Sequence, residues 1–98
     1  MSEDKTTSAT IIESGYSPYA VAIAVSGYHL EGDGSAAIGG SGLAPAPYDF
    51  LLAALGECTA MTMRWYAIQQ NWPLDKVEVR ITHHKEGRQD IFSKAITI

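Results

Sequence analysis

From residue 19 to residue 25 large and small side chains alternate. Tyr19, Val21, Ile23 and Val25 fall on one face of a two-residue period, and Ala20, Ala22 and Ala24 on the other. This pattern predicts a strand with one face on a core and another that something can approach closely. Residues 10–13 give a shorter strand that ends at Gly15, and residues 27–30 extend or re-form the second one. Glu31-Gly32-Asp33-Gly34 reads as a turn. Further on, residues 76–83 alternate strictly, with Val77, Val79 and Ile81 inward. Glu86-Gly87-Arg88-Gln89 is a second turn signal, and residues 91–98 complete an antiparallel hairpin.

Between these strand patterns the period changes. Gly39-Gly40-Ser41-Gly42 predicts a flexible loop, and Ala44-Pro45-Ala46-Pro47 a stiff, extended approach to the next element. Pro47 suits the first turn of a helix, where its missing N–H costs nothing, and Asp49 suits the positive end that follows. The helix should run from about 47 to 70 and stop at Asn71-Trp72-Pro73. At ~1.5 Å per residue it is roughly 36 Å long. It is apolar nearly all round, which predicts burial on most sides. The expected architecture is α+β, with four or five strands and one long helix. One small sheet covers one side of such a helix, so the other side calls for a second copy. The pattern also ends within a strand, which suggests a homodimer, a truncated chain, or both.

Length and composition narrow the class. With 98 residues, 46% hydrophobic and 18% charged, the chain is expected to form a single domain over residues 10–98 behind a frayed polar tail of residues 1–9. A formal net charge of −4 argues against a nucleic-acid binder. One cysteine, Cys58, excludes an intramolecular disulfide framework. No signal-like start is present, and Glu57 and Arg64 interrupt the apolar run too early for a membrane span. A soluble, cytoplasmic protein is the expectation.

Cys58 is the residue that can carry chemistry. Its helical face holds Leu51, Ala54, Leu55, Met61, Thr62 and Trp65, with Tyr48 at the edge nearly three turns earlier. The opposite side carries the small residues Ala53, Gly56, Ala60 and Ala67. By residue type and mid-helix position alone, Cys58 reads as a buried small hydrophobe. Nothing local activates the thiol, since Arg64 points elsewhere and the positive helix end is distant. The histidines read as solvated or hydrogen-bonded: His29 is isolated, and His83 and His84 are strand neighbours that point to opposite faces and cannot chelate one metal. Tyr48 and Glu57 are either hydrogen-bond partners or the ends of a core helix. Trp72-Pro73 is a packed helix stop. The glycine-rich loop lacks the lysine of a phosphate loop, and no Ser/His/Asp arrangement stands out.

The segment Gly42-Leu43-Ala44-Pro45-Ala46-Pro47-Tyr48-Asp49-Phe50-Leu51-Leu52-Ala53-Ala54-Leu55-Gly56-Glu57-Cys58-Thr59-Ala60-Met61-Thr62 resembles the central helix of the OsmC/Ohr family. The likeness continues through Arg64-Trp65-Tyr66-Ala67 and Asn71-Trp72-Pro73-Leu74 into Val77-Glu78-Val79. Upstream, Gly27-Tyr28-His29-Leu30 and Gly39-Gly40 fit the family's early strands and loop. The resemblance implies an intertwined α+β homodimer, with antiparallel sheets wrapped around two central helices. It implies a bacterial thiol peroxidase of oxidative-stress defence that reduces organic hydroperoxides without a cofactor or metal and is reset by an external thiol reductant. Cys58 stands at the peroxidatic position, and Tyr48, Leu51, Leu55, Met61, Thr62 and Trp65 become the substrate-binding face. Tyr48 occupies the place of the family's glutamate ten residues before the cysteine. The family's early arginine has no counterpart, as Lys5 is the only Lys or Arg before Cys58. The family's resolving cysteine lies in a C-terminal portion beyond these residues, so the chain is expected to represent the N-terminal two thirds of the fold. The competing readings are a non-catalytic homodimer binding a small apolar ligand, and an assembly module.

Overall fold

The computed structural model describes residues 6–98. Of the tail expected at residues 1–9, residues 1–5 lie outside the described residues, and residues 6–8 carry no regular structure. The strands and helix run in the order β1 (Ala9–Glu13), β2 (Val21–Val25), β3 (Tyr28–Gly32), α1 (Pro47–Gln70), β4 (Glu78–Glu86) and β5 (Gln89–Thr97), with a 3-10 turn at Ala36–Ile38 before α1. The architecture is α+β, with antiparallel sheets and one long helix. The chain divides into two compact units, the first up to Pro47 and the second from Tyr48 to Ile98.

The first unit is a three-stranded antiparallel sheet in the order β1-β2-β3. On β2 the large residues Val21, Ile23 and Val25 are half-buried and Ala22 and Ala24 exposed, as the alternation requires. The reversal between β2 and β3 comes earlier than the Gly-rich signal suggested. Val25 pairs with Tyr28, so Ser26 and Gly27 form a two-residue loop. Both have positive φ, 49° and 81°. That is the backbone of a hairpin turn whose twist matches the strands it joins. Ser26 carries a φ that usually calls for glycine or asparagine, so the turn is faint in the sequence. The turn expected at residues 31–34 is therefore corrected: β3 runs through Gly32, and Gly32, Asp33 and Gly34 are buried.

The loop at residues 39–42 is held and not free. Asp33 accepts hydrogen bonds from the Gly34 amide (2.7 Å), the Ser17 hydroxyl (2.7 Å), the Ser41 amide (3.1 Å) and the Ser41 hydroxyl. Gly40 closes against the Gly34 backbone so tightly that a Cβ there would stand 2.0 Å from the Gly34 carbonyl oxygen. The absent side chain, which read as flexibility, is what this approach requires.

In the second unit α1 covers the expected residues. It ends in a Schellman motif: the Asn71 amide donates to the Ile68 carbonyl and the Trp72 amide to the Ala67 carbonyl. Asn71 takes the left-handed conformation, φ 60°. Trp72 then packs edge-on to Tyr66, ring centroids 5.4 Å apart, and Pro73 prevents continuation. β4 and β5 pair in register from Glu78↔Thr97 to Glu86↔Gln89 around Gly87-Arg88. Val79, Ile81 and His83 are the half-buried positions of β4. The hairpin meets α1 at Gly56, where a Cβ would stand 3.5 Å from the Ile81 side chain; of the small residues on that side Gly56 and Ala60 are half-buried and Ala67 buried, while Ala53 is exposed. Burial on most sides of the helix is not what the chain shows by itself. Ala67 is the one helix residue that is buried, because a two-stranded hairpin has area for one flank only.

Candidate functional site

Cys58 is a free thiol and is exposed. The buried-hydrophobe reading of it is thus corrected. With the Gly56 side turned to the hairpin, the cysteine flank is left uncovered. Leu51, Leu55, Met61 and Trp65 on that flank are 40%, 41%, 53% and 46% exposed, and Thr62 is exposed as well. Residues three, four and seven apart on a helix adjoin. The structure therefore groups Leu51, Leu55, Cys58, Met61, Thr62 and Trp65 in one mostly apolar stripe about four turns long with the thiol in the middle. Thr59, next to it, spends its hydroxyl on the Leu55 carbonyl one turn back (2.9 Å).

Two residues weighed as thiol partners are committed elsewhere. Arg64 donates from its two terminal nitrogens to the carbonyls of Leu74 (2.6 Å) and Asp75 (3.0 Å). It ties down the segment after the helix. Tyr48 lies ten residues, about 15 Å of helical rise, before Cys58. Its hydroxyl donates to Asp90 (3.3 Å). Its ring stacks at a tilt on His83 (centroids 4.4 Å apart) and meets Phe92 edge-on at 6.2 Å. His83 Nε2 sits 2.9 Å from the other Asp90 oxygen. Tyr48 is thus part of a cluster with His83, Asp90 and Phe92 and is not brought into the cysteine stripe; nor does it meet Glu57, which is exposed. The hydrogen bond from His83, first, and that from Tyr48, with Lys85 nearby, hold the Asp90 carboxyl below the usual carboxylate range against a smaller upward push from burial.

The remaining histidines behave as their sequence context implied. His84 points to the opposite face from His83 and lies 3.4 Å from Glu86, and His29 is exposed on β3. Among the described residues no cluster of three or more His, Cys, Asp or Glu is placed to hold a metal ion, and no helix is long and apolar enough to cross a membrane.

Two carboxylates went unnoticed in the sequence. Asp33 is 95% buried by exposure of its surface, and its hydrogen bonds from Ser41 and Ser17, supported by the Gly34 and Ser41 amides, hold its carboxyl down to about 2. It borders a cleft of about 360 Å3 in the first unit, rimmed by Tyr16, Glu31 and Leu43. A Gly-Asp-Gly triplet signals a special backbone, but no local rule names serines eight and sixteen residues away as its partners. Asp90 was easier to find. A two-residue turn at Gly87-Arg88 pairs His83 with Phe92 and Lys85 with Asp90, which sets Asp90 diagonally across from His83 on one face.

Comparison with known proteins gives one match. A model of the family described as OsmC-like protein matches residues 39–98, from the Gly-Gly pair through α1 and the hairpin. No curated protein and no solved structure matches the chain. The matched stretch is well over half the sequence and contains the cysteine stripe, the Tyr48 cluster and both strands of the hairpin, and on it the chain belongs to the OsmC-like family.

Proposed function

We propose that this protein is a thiol-dependent peroxidase that reduces organic hydroperoxides through Cys58, in oxidative-stress defence in the cytoplasm. The observation that carries the reading is the exposure of a lone thiol at the centre of an apolar helical stripe, within the stretch that matches the family. The stripe suits a hydroperoxide with a hydrocarbon body better than hydrogen peroxide. The Cys58 thiolate attacks the terminal peroxide oxygen. An S–O bond forms, the O–O bond breaks, and the leaving alkoxide takes a proton to become an alcohol. Cys58 is left as a sulfenic acid, oxidised by two electrons. With one cysteine in the chain, an external thiol condenses with the sulfenic acid, releasing water and leaving a mixed disulfide. A second thiol then frees Cys58 by exchange. A second copy of the chain closes the uncovered stripe and makes a groove of it, burying side chains that one copy leaves 40–53% exposed.

The test is trapping of the sulfenic acid. Cumene hydroperoxide followed by dimedone should add one label to Cys58 and none to Cys58→Ser, with hydroperoxide consumed catalytically when a dithiol is supplied. An unlabelled Cys58 under these conditions rejects the reading. A second function, a non-catalytic dimer that binds a small apolar ligand in the same groove, is favoured by one observation: Arg64, the cation nearest Cys58 in the helix, is spent on two backbone carbonyls. That reading gains if Cys58→Ser binds an apolar fluorophore as the wild type does and neither protein consumes hydroperoxide.

A further inference from the structure

Val79, Ile81 and His83 are the half-buried positions of β4, so a histidine stands where the alternation supplies aliphatic residues. Its side chain is 15% exposed, and that of Asp90 33%. The imidazole packs on two rings, with centroids 4.4 Å from Tyr48 and 4.9 Å from Phe92 and tilts of 38° and 36°. Nε2 sits 2.9 Å from one Asp90 oxygen, and the Tyr48 hydroxyl donates to the other (3.3 Å). Three elements thus meet at one side chain: the first turn of α1 through Tyr48, β4 through His83, and β5 through Asp90 and Phe92. All these contacts lie within one compact unit of one chain. They do not depend on what covers the cysteine flank.

We propose that His83 is a pH-sensitive latch, which holds the first turn of α1 to the hairpin more firmly as imidazolium than as neutral imidazole. Histidine is the side-chain type that changes charge between about pH 5 and 8. Asp90 stays an ionised carboxylate over that range and can only accept, so Nε2 carries the proton in both forms of the ring. Protonation at Nδ1 therefore changes the strength of the grip and not its geometry. The groups around the imidazole act in both directions. On α1, the Tyr48 hydroxyl and the Asp49 carboxylate lie in the first turn. On β5, Asp90 and Lys94 share the face of Phe92, and on β4, Lys85 shares the face of His83. Of these charges Asp90 touches the imidazole. Lys85 and Lys94 are exposed, where salt screens them. The positive end of α1 opposes the imidazolium, while the contacting carboxylate and the two rings favour it. Contact distance decides for the carboxylate. The grip is full above the carboxylate range and below the histidine range, and it slackens as pH rises through neutrality. What it holds is the leading turn of the helix that carries Cys58. The latch goes beyond the peroxidase reading and does not need it.

The experiment is amide hydrogen exchange of the full chain, followed by nuclear magnetic resonance at about pH 5.5 and about pH 8.5. Protection factors remove the intrinsic pH dependence of exchange. The Leu51 and Leu52 amides are the first in α1 with an acceptor inside the helix. They should be about fivefold better protected at the lower pH, the margin of a charged over a neutral hydrogen bond. The β2 amides, in the other unit, should show no such difference. His83→Gln keeps an amide donor toward Asp90 but does not titrate, and it should lose the pH dependence. Asp90→Asn keeps an acceptor without the charge and should lose it too; it carries the test if His83→Gln does not fold. His84→Gln should keep the dependence, although His84 lies beside Glu86. Equal protection at both pH values in wild type overturns the proposal. So does a difference as large on β2, one that persists in His83→Gln or Asp90→Asn, or one that disappears in His84→Gln. Sulfenic acid trapping at Cys58 is a separate readout, so the latch and the peroxidase reading fail independently.

Discussion

Replacement of Gly40 by alanine tests the account of the loop that leads into α1. The new Cβ would lie 2.0 Å from the Gly34 oxygen, 2.4 Å from the Gly34 carbonyl carbon and 2.9 Å from an Asp33 carboxylate oxygen. Two of these three neighbours are backbone, so no side chain can swing aside. Relief requires that the loop move off Asp33, which separates Ser41 from the carboxylate. Overpacking of this kind costs about 2–3 kcal/mol. With a urea dependence of about 1–2 kcal/mol per molar, the unfolding midpoint should fall by about 1–2 M. Two other glycines set the scale. Gly87→Ala places a Cβ in open space at φ +61°, a strain of about 1–2 kcal/mol with no collision. Gly56→Ala makes an ordinary 3.5 Å contact with Ile81 inside α1 and should gain up to about 1 kcal/mol of helix propensity. Urea unfolding followed by circular dichroism should rank Gly56→Ala at or above wild type, then Gly87→Ala, then Gly40→Ala. The Ser41 amide resonance should move in Gly40→Ala alone. A Gly40→Ala midpoint at or above that of Gly87→Ala would refute the claim that the loop is clamped.

The Asp33 carboxyl is held down to about 2, below its value of about 3.9 in an unfolded chain. Its stabilisation is therefore complete above pH ~4 and lost as pH falls from about 4 to about 2. Asp33→Asn should be less stable than wild type at neutral pH and lack that part of the acid transition, seen at the Ser41 amide. Asp90 is also depressed, chiefly by His83, so its contribution is present above the ordinary carboxylate range and fades as pH falls through the lower folded value. Cross-peaks between the Tyr48 and His83 rings should weaken over that acid range in wild type; Tyr48→Phe should keep them at neutral pH, and Tyr48→Ala should cost about 1–2 kcal/mol in urea unfolding through lost ring contacts. Arg64→Met should cost about 1–3 kcal/mol by releasing the Leu74 and Asp75 carbonyls. It should leave the pH profile of Cys58 alkylation by iodoacetamide unchanged, since the guanidinium is turned away from the thiol; a displaced profile would show that Arg64 serves Cys58.

What was legible in the sequence, and what was not, divides by the range of the interaction. Periodicity is local, so it located α1 from Pro47 to Gln70, its stop at Asn71-Trp72-Pro73, and the inward set Val77, Val79 and Ile81. The β2–β3 reversal was missed because Ser26, a residue without a strong turn signature, adopts a positive φ, while the conspicuous Gly32 and Gly34 flank a buried carboxylate. Polar partnerships were illegible for a related reason: Asp33 with Ser17 and Ser41, and Tyr48 with Asp90, span 8 to 42 residues, and no spacing rule reaches so far. The same logic bears on the thiol. Helical spacing set Leu51, Leu55, Met61, Thr62 and Trp65 on the Cys58 face of α1 but could not say which flank the hairpin takes. The covered side of α1 mixes sizes: Ala67 is buried, Leu52, Gly56, Ala60 and Met63 are half-buried, and Ala53 is exposed. The close approach of Ile81 at Gly56 marks where the hairpin lies, and that position around the helix leaves Leu51, Leu55, Met61 and Trp65, with the thiol among them, facing outward. A buried, inert cysteine follows from residue statistics, whereas an accessible one follows from the asymmetry of a single helix.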